Sequence, residues 1–417
     1  MHIGIIGPIA TTDVAHLLEG GAGTLPRGYA GGPLLATLIG ELLSRGHKVT
    51  AFTLSVDMDL DAINGIVASG PNFSLHYCPM RPRAWRSNGL RLGRIVDFYR
   101  HEISALVKQI KLAQPDVMHA HWTYEFALAA LASKIPHVIT CHDSPYTIAR
   151  ITSTSRPTRS LYRWLRVIMA HQVFKQARCI TAVSPYMKAK VQNLAQVDIS
   201  VVPNPVDARA LAYSCTRLAP TAPRLVMVCN GWGALKNPEP ALIAFNQLIK
   251  QRPESELHLF GNDFGPGQTA ERWCKAKGLL QGLIFHGPMP HYHLLDHMRT
   301  FDLLLHPSIE ESFGMVLAEA MAMGLPVVAG KNSGAVPWVV GDSGCLCDVT
   351  DPKAIYAALC KALEPERYTT LSEHGIASVL ARFSTPRVVD QFYALYEQAI
   401  RRSDSVFSAN RSERSAI

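Results

Sequence analysis

Two carboxylates eight positions apart, Glu311 and Glu319, stand in the stretch "HPSIEESFGMVLAEAMAMGLPVVAG" from His306 to Gly330. A carboxylate only accepts hydrogen bonds, which suits the vicinal hydroxyls of a sugar or a ribose. The stretch reads as loop, helix, glycine stop and strand. Ser312 is placed to cap the helix, Met315 to Met323 is apolar and alanine-rich, Gly324 falls at the C′ position and Pro326 prevents continuation. Glu311 therefore precedes a helix N-terminus, whose unpaired N–H groups and partial positive charge favour an oxygen-rich or anionic ligand. Glu319 lies inside the helix among Ala, Met, Val and Leu. A mid-helix glutamate is generally solvated, but this one, if buried, needs a specific hydrogen-bonding partner. Upstream, "VCNGWGALKNPEPALIAFNQLI" follows a strand, turns through glycines and opens a helix at Pro238, leaving Lys236 at the turn. His121 in "DVMHAHW" and His142 in "VITCHD" end consecutive strands, where parallel sheets bind ligands.

The elements that must position these groups alternate along the chain. β-rich runs at "HIGIIG", "KVTAFTL", "DVMHAH", "HVITCH" and "CITAVS", then "RLVMVCN", "ELHLFG", "LIFHG", "DLLLHPS" and "PVVAG", are separated by helical patterns, which predicts βαβ units and parallel sheets. The strands are too many for one sheet. "VVPNPVD" (Val201–Asp207), followed by a Pro/Ala-rich stretch, marks a joint. The expected domains are residues 1–205 and 206–385, a closing helix at 386–402 with Val388, Phe392, Leu395 and Tyr396 at helical spacing, and an unstructured polar tail at 403–417. The length of 417 residues and 48% apolar content allow two such cores, and the net charge of +8 favours an anionic partner. Nine cysteines without a C-x-x-C pair, and an N-terminus lacking a basic segment before a long apolar core, predict a reduced cytoplasmic protein. No apolar run approaches the roughly 18–20 residues of a bilayer span, so any membrane contact is expected to be peripheral, at the inner face.

Glu311-Ser312-Phe313-Gly314 through Glu319-Ala320-Met321-Ala322, with Gly324, Pro326, Val327 and Val328, resembles the Glu-x(7)-Glu signature of family four of the retaining GT-B glycosyltransferases. The resemblance implies two Rossmann-like doubly wound domains facing a cleft, and transfer of a hexose-type sugar from a nucleoside-diphosphate sugar to an acceptor hydroxyl. It further implies that Glu311 and the N–H groups from Phe313 through Gly314 to Met315 hold the donor sugar, with Ser312 beside them, and that Glu319 binds the ribose. The segment around Gly231 resembles the family's diphosphate grip, which normally supplies an Arg and a Lys. Lys236 fills the second place, but Trp232 follows Gly231 and no second cation is at hand. "LHLFGNDFGPG", with Gly261, resembles the turn lining the nucleotide, and Gly287 to Met289 the backbone that reads the base. More weakly, Gly31 and Gly32 look like the family's glycine loop, and His121 like the histidine facing the donor sugar. The implied catalytic groups are Glu311, Lys236 and His121, with no metal or other cofactor. The implied acceptor is a saccharide, a lipid-linked molecule or a small molecule, in polysaccharide or glycolipid synthesis.

Other patterns point elsewhere. "GIIGPIA" has dinucleotide-loop glycines but no following helix and no acidic residue after the second strand. "DMDLD" (Asp57 to Asp61) resembles a metal motif but sits far from the donor segment, and Cys345 and Cys347 offer too few ligands for zinc. Arg156, Arg159, Arg163 and Arg166 recur at helical spacing with Leu161, Trp164, Leu165 and Ile168 on another face. Such a helix either rests its basic face on anionic lipid near the acceptor, as His142 would from the adjacent strand, or packs its apolar face inward. The basic residues show no nucleic-acid module pattern. A nucleotide-sugar 2-epimerase of the same architecture, or a non-catalytic nucleotide-sugar-binding module, remains an alternative.

Overall fold

The computed structural model describes residues 1–62, 64–151 and 157–414, with side chains up to 403. The chain divides into two compact units, Met1–Val202 with Val388–Ile417, and Pro203–Arg387.

The first unit is built on an eight-stranded sheet in the order β3-β4-β2-β1-β5-β6-β7-β8. Its strands are β1 (His2–Ile6), β2 (Lys48–Ser55), β3 (Ile66–Gly70), β4 (Phe73–Pro79), β5 (Val117–His121), β6 (His137–Cys141), β7 (Ile180–Ala182) and β8 (Ser200–Val201). All pairings are parallel except β3 with β4, an antiparallel edge hairpin absent from the sequence expectation. Ile66 and Val67 point to solvent on that edge strand, so it lacks the continuous apolar run that marks β5, buried at all five positions.

The second unit carries a six-stranded, all-parallel sheet, β11-β10-β9-β12-β13-β14, from β9 (Arg224–Val228), β10 (Glu256–Phe260), β11 (Leu283–Gly287), β12 (Leu303–His306), β13 (Val327–Gly330) and β14 (Gly344–Cys347). Cys345 and Cys347, considered above as metal ligands, are core residues of β14.

Two helix boundaries differ from expectation. The helix after β12 runs Met315–Ala322, and its cap is Gly314, at φ 87°, rather than Ser312. The left-handed backbone favours glycine, and a Cβ there would lie 2.7 Å from Leu317 Cδ1. The last helix spans Thr385–Arg414, so its backbone passes through most of the segment expected to be a tail. No glycine or proline interrupts residues 387–414, so nothing in the backbone chemistry stops it. Val388, Phe392, Tyr396 and Ala399 of this helix join the core of the first unit.

Candidate active site

In the second sheet the chain departs from β9 in one direction to β10 and β11, then returns to β12 on its other side. Loops at the carboxyl ends of strands flanking such a reversal form a crevice suited to ligands. The loops after β9 and β12 are stitched together there. Ile309 N donates to Leu235 O (2.9 Å), and Asn237 Nδ2 donates to Pro307 O (3.2 Å) and Val349 O (2.8 Å). These bonds bring Lys236 Nζ to 2.5 Å from Glu311 Oε1, with His306 Nε2 at 3.4 Å. Burial alone would raise the Glu311 carboxyl, but His306 and Lys236 outweigh it and hold the pKa at about 2. Glu311 is therefore a fixed carboxylate at working pH. His306 Nδ1 and the Ser308 hydroxyl, both buried beside it, make no hydrogen bond.

Four positions C-terminal to Met315, Glu319 is 2% exposed. Its partner is His291 Nε2, 2.7 Å from Oε1, at the start of the helix His291–Met298 after β11. The neighbouring turns interlock through backbone: Gly231 N donates to Asn262 O (3.1 Å) and Gly261 N to Gly287 O (2.8 Å). Gly261, at φ 113°, has no room for a side chain, since a Cβ would collide with the Cys229 carbonyl. Met289 follows Gly287, half-buried, and Ser312 is half-buried beside Glu311.

In the first unit, His121 Nδ1 lies 2.9 Å from His142 Nε2, and Trp122 stacks on the His142 ring at 4.3 Å. Trp122 adopts φ 66°, an outlier for a bulky residue of the kind that clusters at functional sites. His119 is fully engaged, 2.7 Å from Tyr396 Oη and 2.7 Å from Thr140 Oγ1, whereas His121 Nε2 is buried with no partner. Burial lowers all three imidazoles, His119 and His142 to about 3, so they are neutral at working pH. Beside them a cavity of about 220 Å³ is lined by Tyr29, Gly31, Trp122, Glu125, Asp143 and Arg163, among others. Gly32 is buried next to this loop.

The sequence model for Glycosyltransferase Family 4 matches residues 33–210, and that for Glycosyl transferases group 1 matches residues 222–365, which together take in most of the chain. The chain belongs to glycosyltransferase family four. It is 23% identical over 398 residues to N-acetyl-alpha-D-glucosaminyl L-malate synthase of Bacillus anthracis, covering 89% of this chain and 94% of that one. In structure it resembles sucrose-phosphate synthase from Thermosynechococcus elongatus (TM-score 0.70, 19% identity, 96% and 99% covered). It also resembles Anabaena HepE in complex with UDP and glucose (TM-score 0.63, 16% identity, 95% and 100% covered). The fold is GT-B, with two parallel-sheet α/β domains.

For this glycosyltransferase the place of the expected arginine is taken by a packing residue. Trp232 N donates to Asp263 Oδ2 (3.0 Å), and its ring lies 5.7 Å from Phe264 and 5.5 Å from Trp273. Trp232→Arg should therefore lower stability by about 1–3 kcal/mol in urea unfolding, because a half-buried ring is lost from the apolar cluster. A variant as stable as the parent would show that the ring is dispensable.

Of the positions expected to bear chemistry, Lys236 and Glu311 come together next to Gly314, while Phe313 turns its ring into the core, 5.2 Å from Phe383. His291, His306 and Ser308 were not singled out from sequence. His291 answers the stated requirement that a buried Glu319 find a partner, which could have prompted a search for it. Among the four arginines, Arg156 lies outside the described residues and Arg159 is exposed. Arg163 lines the cavity with its Nε buried and without a partner, and Arg166 ion-pairs with Glu125 Oε2 at 3.0 Å. The expected outward basic face is thus mostly turned inward, and Leu161, Trp164 and Ile168 face outward. Glu125 and the rings of Tyr99, Tyr124 and Tyr162 draw Arg166 in. Asp57 binds Arg27 N at 3.0 Å, and Asp59 Oδ1 accepts from Asp61 N, so the early aspartates serve turns. Among the described residues no three His, Cys, Asp or Glu come together as metal ligands, and no helix is long and apolar enough to cross a membrane.

Proposed function

We propose that this glycosyltransferase transfers a hexose-type sugar, with retention, from a nucleoside-diphosphate sugar to a hydroxyl of an anionic acceptor, without a metal. The observation that carries the reading is the Lys236–Glu311 pair at the strand-order reversal of the second unit. Lys236 supplies positive charge where negative charge develops on the departing diphosphate. N–H groups at the start of the helix Met315–Ala322 supply further donors to oxygen, and Glu311, always ionised, accepts from sugar hydroxyls. Glu319, oriented by His291, accepts from the ribose. In the retaining step the acceptor oxygen bonds to the anomeric carbon on the face the diphosphate leaves. The electron pair of the breaking C–O bond goes to the phosphate oxygen, which takes the acceptor proton. HepE, a structural neighbour with UDP and glucose bound, supports the donor class.

An anionic acceptor is supported by the cavity in the first unit. Arg163 presents a buried, unpartnered Nε there, and Trp122 and Tyr29 offer ring faces. The names of L-malate and sucrose-phosphate synthases each contain an anion. Nine free cysteines support a reducing, cytoplasmic setting, and Arg159 with the outward Leu161, Trp164 and Ile168 supports peripheral contact with the inner membrane face in polysaccharide or glycolipid synthesis.

The test is a panel of UDP- and GDP-sugars with carboxylated, phosphorylated and neutral acceptors in EDTA, followed by product analysis. Glycoside formed from one donor with retained anomeric configuration supports the reading. Activity only after metal is restored, free 2-epimerised sugar, or no product from any pair counts against it. Arg163→Ala is expected to raise the KM for the anionic acceptor about tenfold while changing kcat far less, the loss expected from one hydrogen bond to a charge. An unchanged KM would remove Arg163 from acceptor recognition.

A further inference from the structure

Between β4 and the helix Arg100–Ala113 the chain forms a strap, residues 80–99. From Arg81 to Arg100 the sequence carries six arginines and one carboxylate, Asp97. The strap is pinned from several sides. Arg81, 1% exposed, ion-pairs with Glu102 at 2.6 Å and Asp97 at 2.7 Å, and donates to Leu92 O at 2.9 Å. Arg94 Nη1 donates to Arg81 O at 2.6 Å. The buried Asn88 side chain accepts from Arg83 N and donates to the carbonyls of Arg83, Arg86 and Leu92. Gly93 has no room for a side chain, because a Cβ would collide with the Ala84–Trp85 backbone.

This framework holds apolar groups in water. Asn88 and Arg91 exchange backbone hydrogen bonds in both directions, closing a tight turn with Gly89 and Leu90 at its end. Gly89 takes φ 63°, and Leu90 is fully exposed. Leu92, Val96 and Phe98 are exposed as well. One exposed leucine is ordinary, but four large apolar side chains exposed on one pinned strap call for a partner. The charge beside them is of one sign. Arg83 and Arg86 are exposed, and Arg83 Nη1 donates to Ser87 O at 3.2 Å. Among the described residues no carboxylate pairs with Arg83 or Arg86. Arg100 opens a helix, where a cation opposes the helix dipole and adds to the positive potential.

Exposed apolar side chains and arginines on one strap match the two layers of an anionic bilayer surface, its acyl boundary and its phosphates. A protein partner needs roughly 800 Å² on each side, which a narrow turn does not offer. We infer that this strap docks the protein on an anionic lipid surface, with Leu90 and Leu92 entering the acyl boundary and Arg83 and Arg86 meeting headgroup phosphates. The inference deepens the membrane contact proposed above for the helix Pro157–Gln176, on which it rests in part, and is independent of the donor assignment. Tyr99, at the end of the strap, links the two elements. Its Oη lies 2.7 Å from Tyr162 Oη of that helix and accepts from Nη1 of Arg166, which lines the acceptor cavity, at 3.3 Å. A docked strap thus ties the acceptor cavity to the membrane surface, which suits a lipid-linked anionic acceptor.

The test uses the full chain with vesicles of phosphatidylcholine, alone or mixed equally with phosphatidylglycerol. Sedimentation should show binding to the mixed vesicles, weakened about tenfold or more by Leu90→Asp with Leu92→Asp, and likewise by Arg83→Glu with Arg86→Glu. All four side chains are exposed, so urea unfolding of these variants should match the parent. An environment-sensitive fluorophore on Leu90→Cys, in a background where the exposed Cys215 is replaced by Cys215→Ser, should shift to the blue on the mixed vesicles. The same background without Leu90→Cys controls for label elsewhere. Binding lost in the strap variants but kept in Trp164→Asp with Ile168→Asp supports the strap and removes the helix from the contact. Binding kept in both strap variants, with no shift at position 90, overturns the strap and leaves the helix contact standing. No vesicle binding by the parent overturns both. Self-association of the free chain that Leu90→Asp abolishes, without vesicle binding, overturns lipid as the occupant in favour of a second copy.

Discussion

Glu311→Gln is expected to reduce kcat for transfer by about 10²–10³-fold, the scale seen when one preorganised electrostatic group is removed from a reacting centre. The substitution keeps size and shape, so the loss reports charge and acceptor capacity. In the parent, His306 and Lys236 hold this carboxyl near pKa 2, and its orientation is set by the stitched loops after β9 and β12. Glutamine presents one acceptor oxygen and an amide that competes as a donor, and it leaves Lys236 Nζ facing a neutral group. Steady-state rates of nucleoside-diphosphate release and product formation with the preferred donor decide it. A variant retaining a third or more of the parent kcat would remove Glu311 from the catalytic role.

Lys236→Ala is expected to lower kcat/KM for the donor by about 10³-fold, and Lys236→Arg to recover part of it. Trp232 contributes packing instead of charge in the proposed grip, so under that proposal a larger share of the burden on a leaving diphosphate falls on Lys236. The lysine also leaves a signature in stability. A carboxyl depressed in the folded state stabilises the protein above its ordinary pKa, and that contribution is lost as pH falls through the folded value of about 2. The destabilisation from Lys236→Ala, read by urea unfolding, should therefore be largest near neutral pH and shrink as pH falls toward 2. Parent-like donor kinetics in Lys236→Ala would exclude Lys236 from the diphosphate grip. A destabilisation that does not vary with pH would mean that Glu311 and Lys236 are not coupled as their 2.5 Å separation implies.

The parts of the site that could be read from sequence are those encoded locally. The apolar alternation of βα units, the glycine and proline punctuation at Gly324 and Pro326, and the spacing of Glu311 and Glu319 depend on neighbours within one or two turns. The buried strands β5, β12 and β13 were legible because both faces are covered, which demands continuous apolar runs. The edge hairpin β3–β4 was not, because one side faces water and its pattern resembles a loop.

Contacts between distant segments left no comparable trace. The pairing of Glu319 with His291 spans 28 positions, and that of Lys236 with Glu311 spans 75. Arg166 looked like a solvated member of a basic stripe because helical spacing records which residues share a face but not what that face meets. Glu125, Tyr99 and Tyr124 from other segments, with Tyr162 one turn earlier on the same helix, turned it inward. Likewise, nothing in "SKIPHV" or "QARCIT" announces that the last helix brings Arg402 Nη1 to the Arg178 carbonyl. Sequence alone determined the family, the alternation of buried strands with helices, and the residue types proposed to bind a nucleotide sugar, because each rests on short-range periodicity or a contiguous motif. Tertiary structure alone decided which charges are paired, which are buried and which are left to meet a ligand, because desolvation and Coulomb energy depend on neighbours that the chain reaches only by folding.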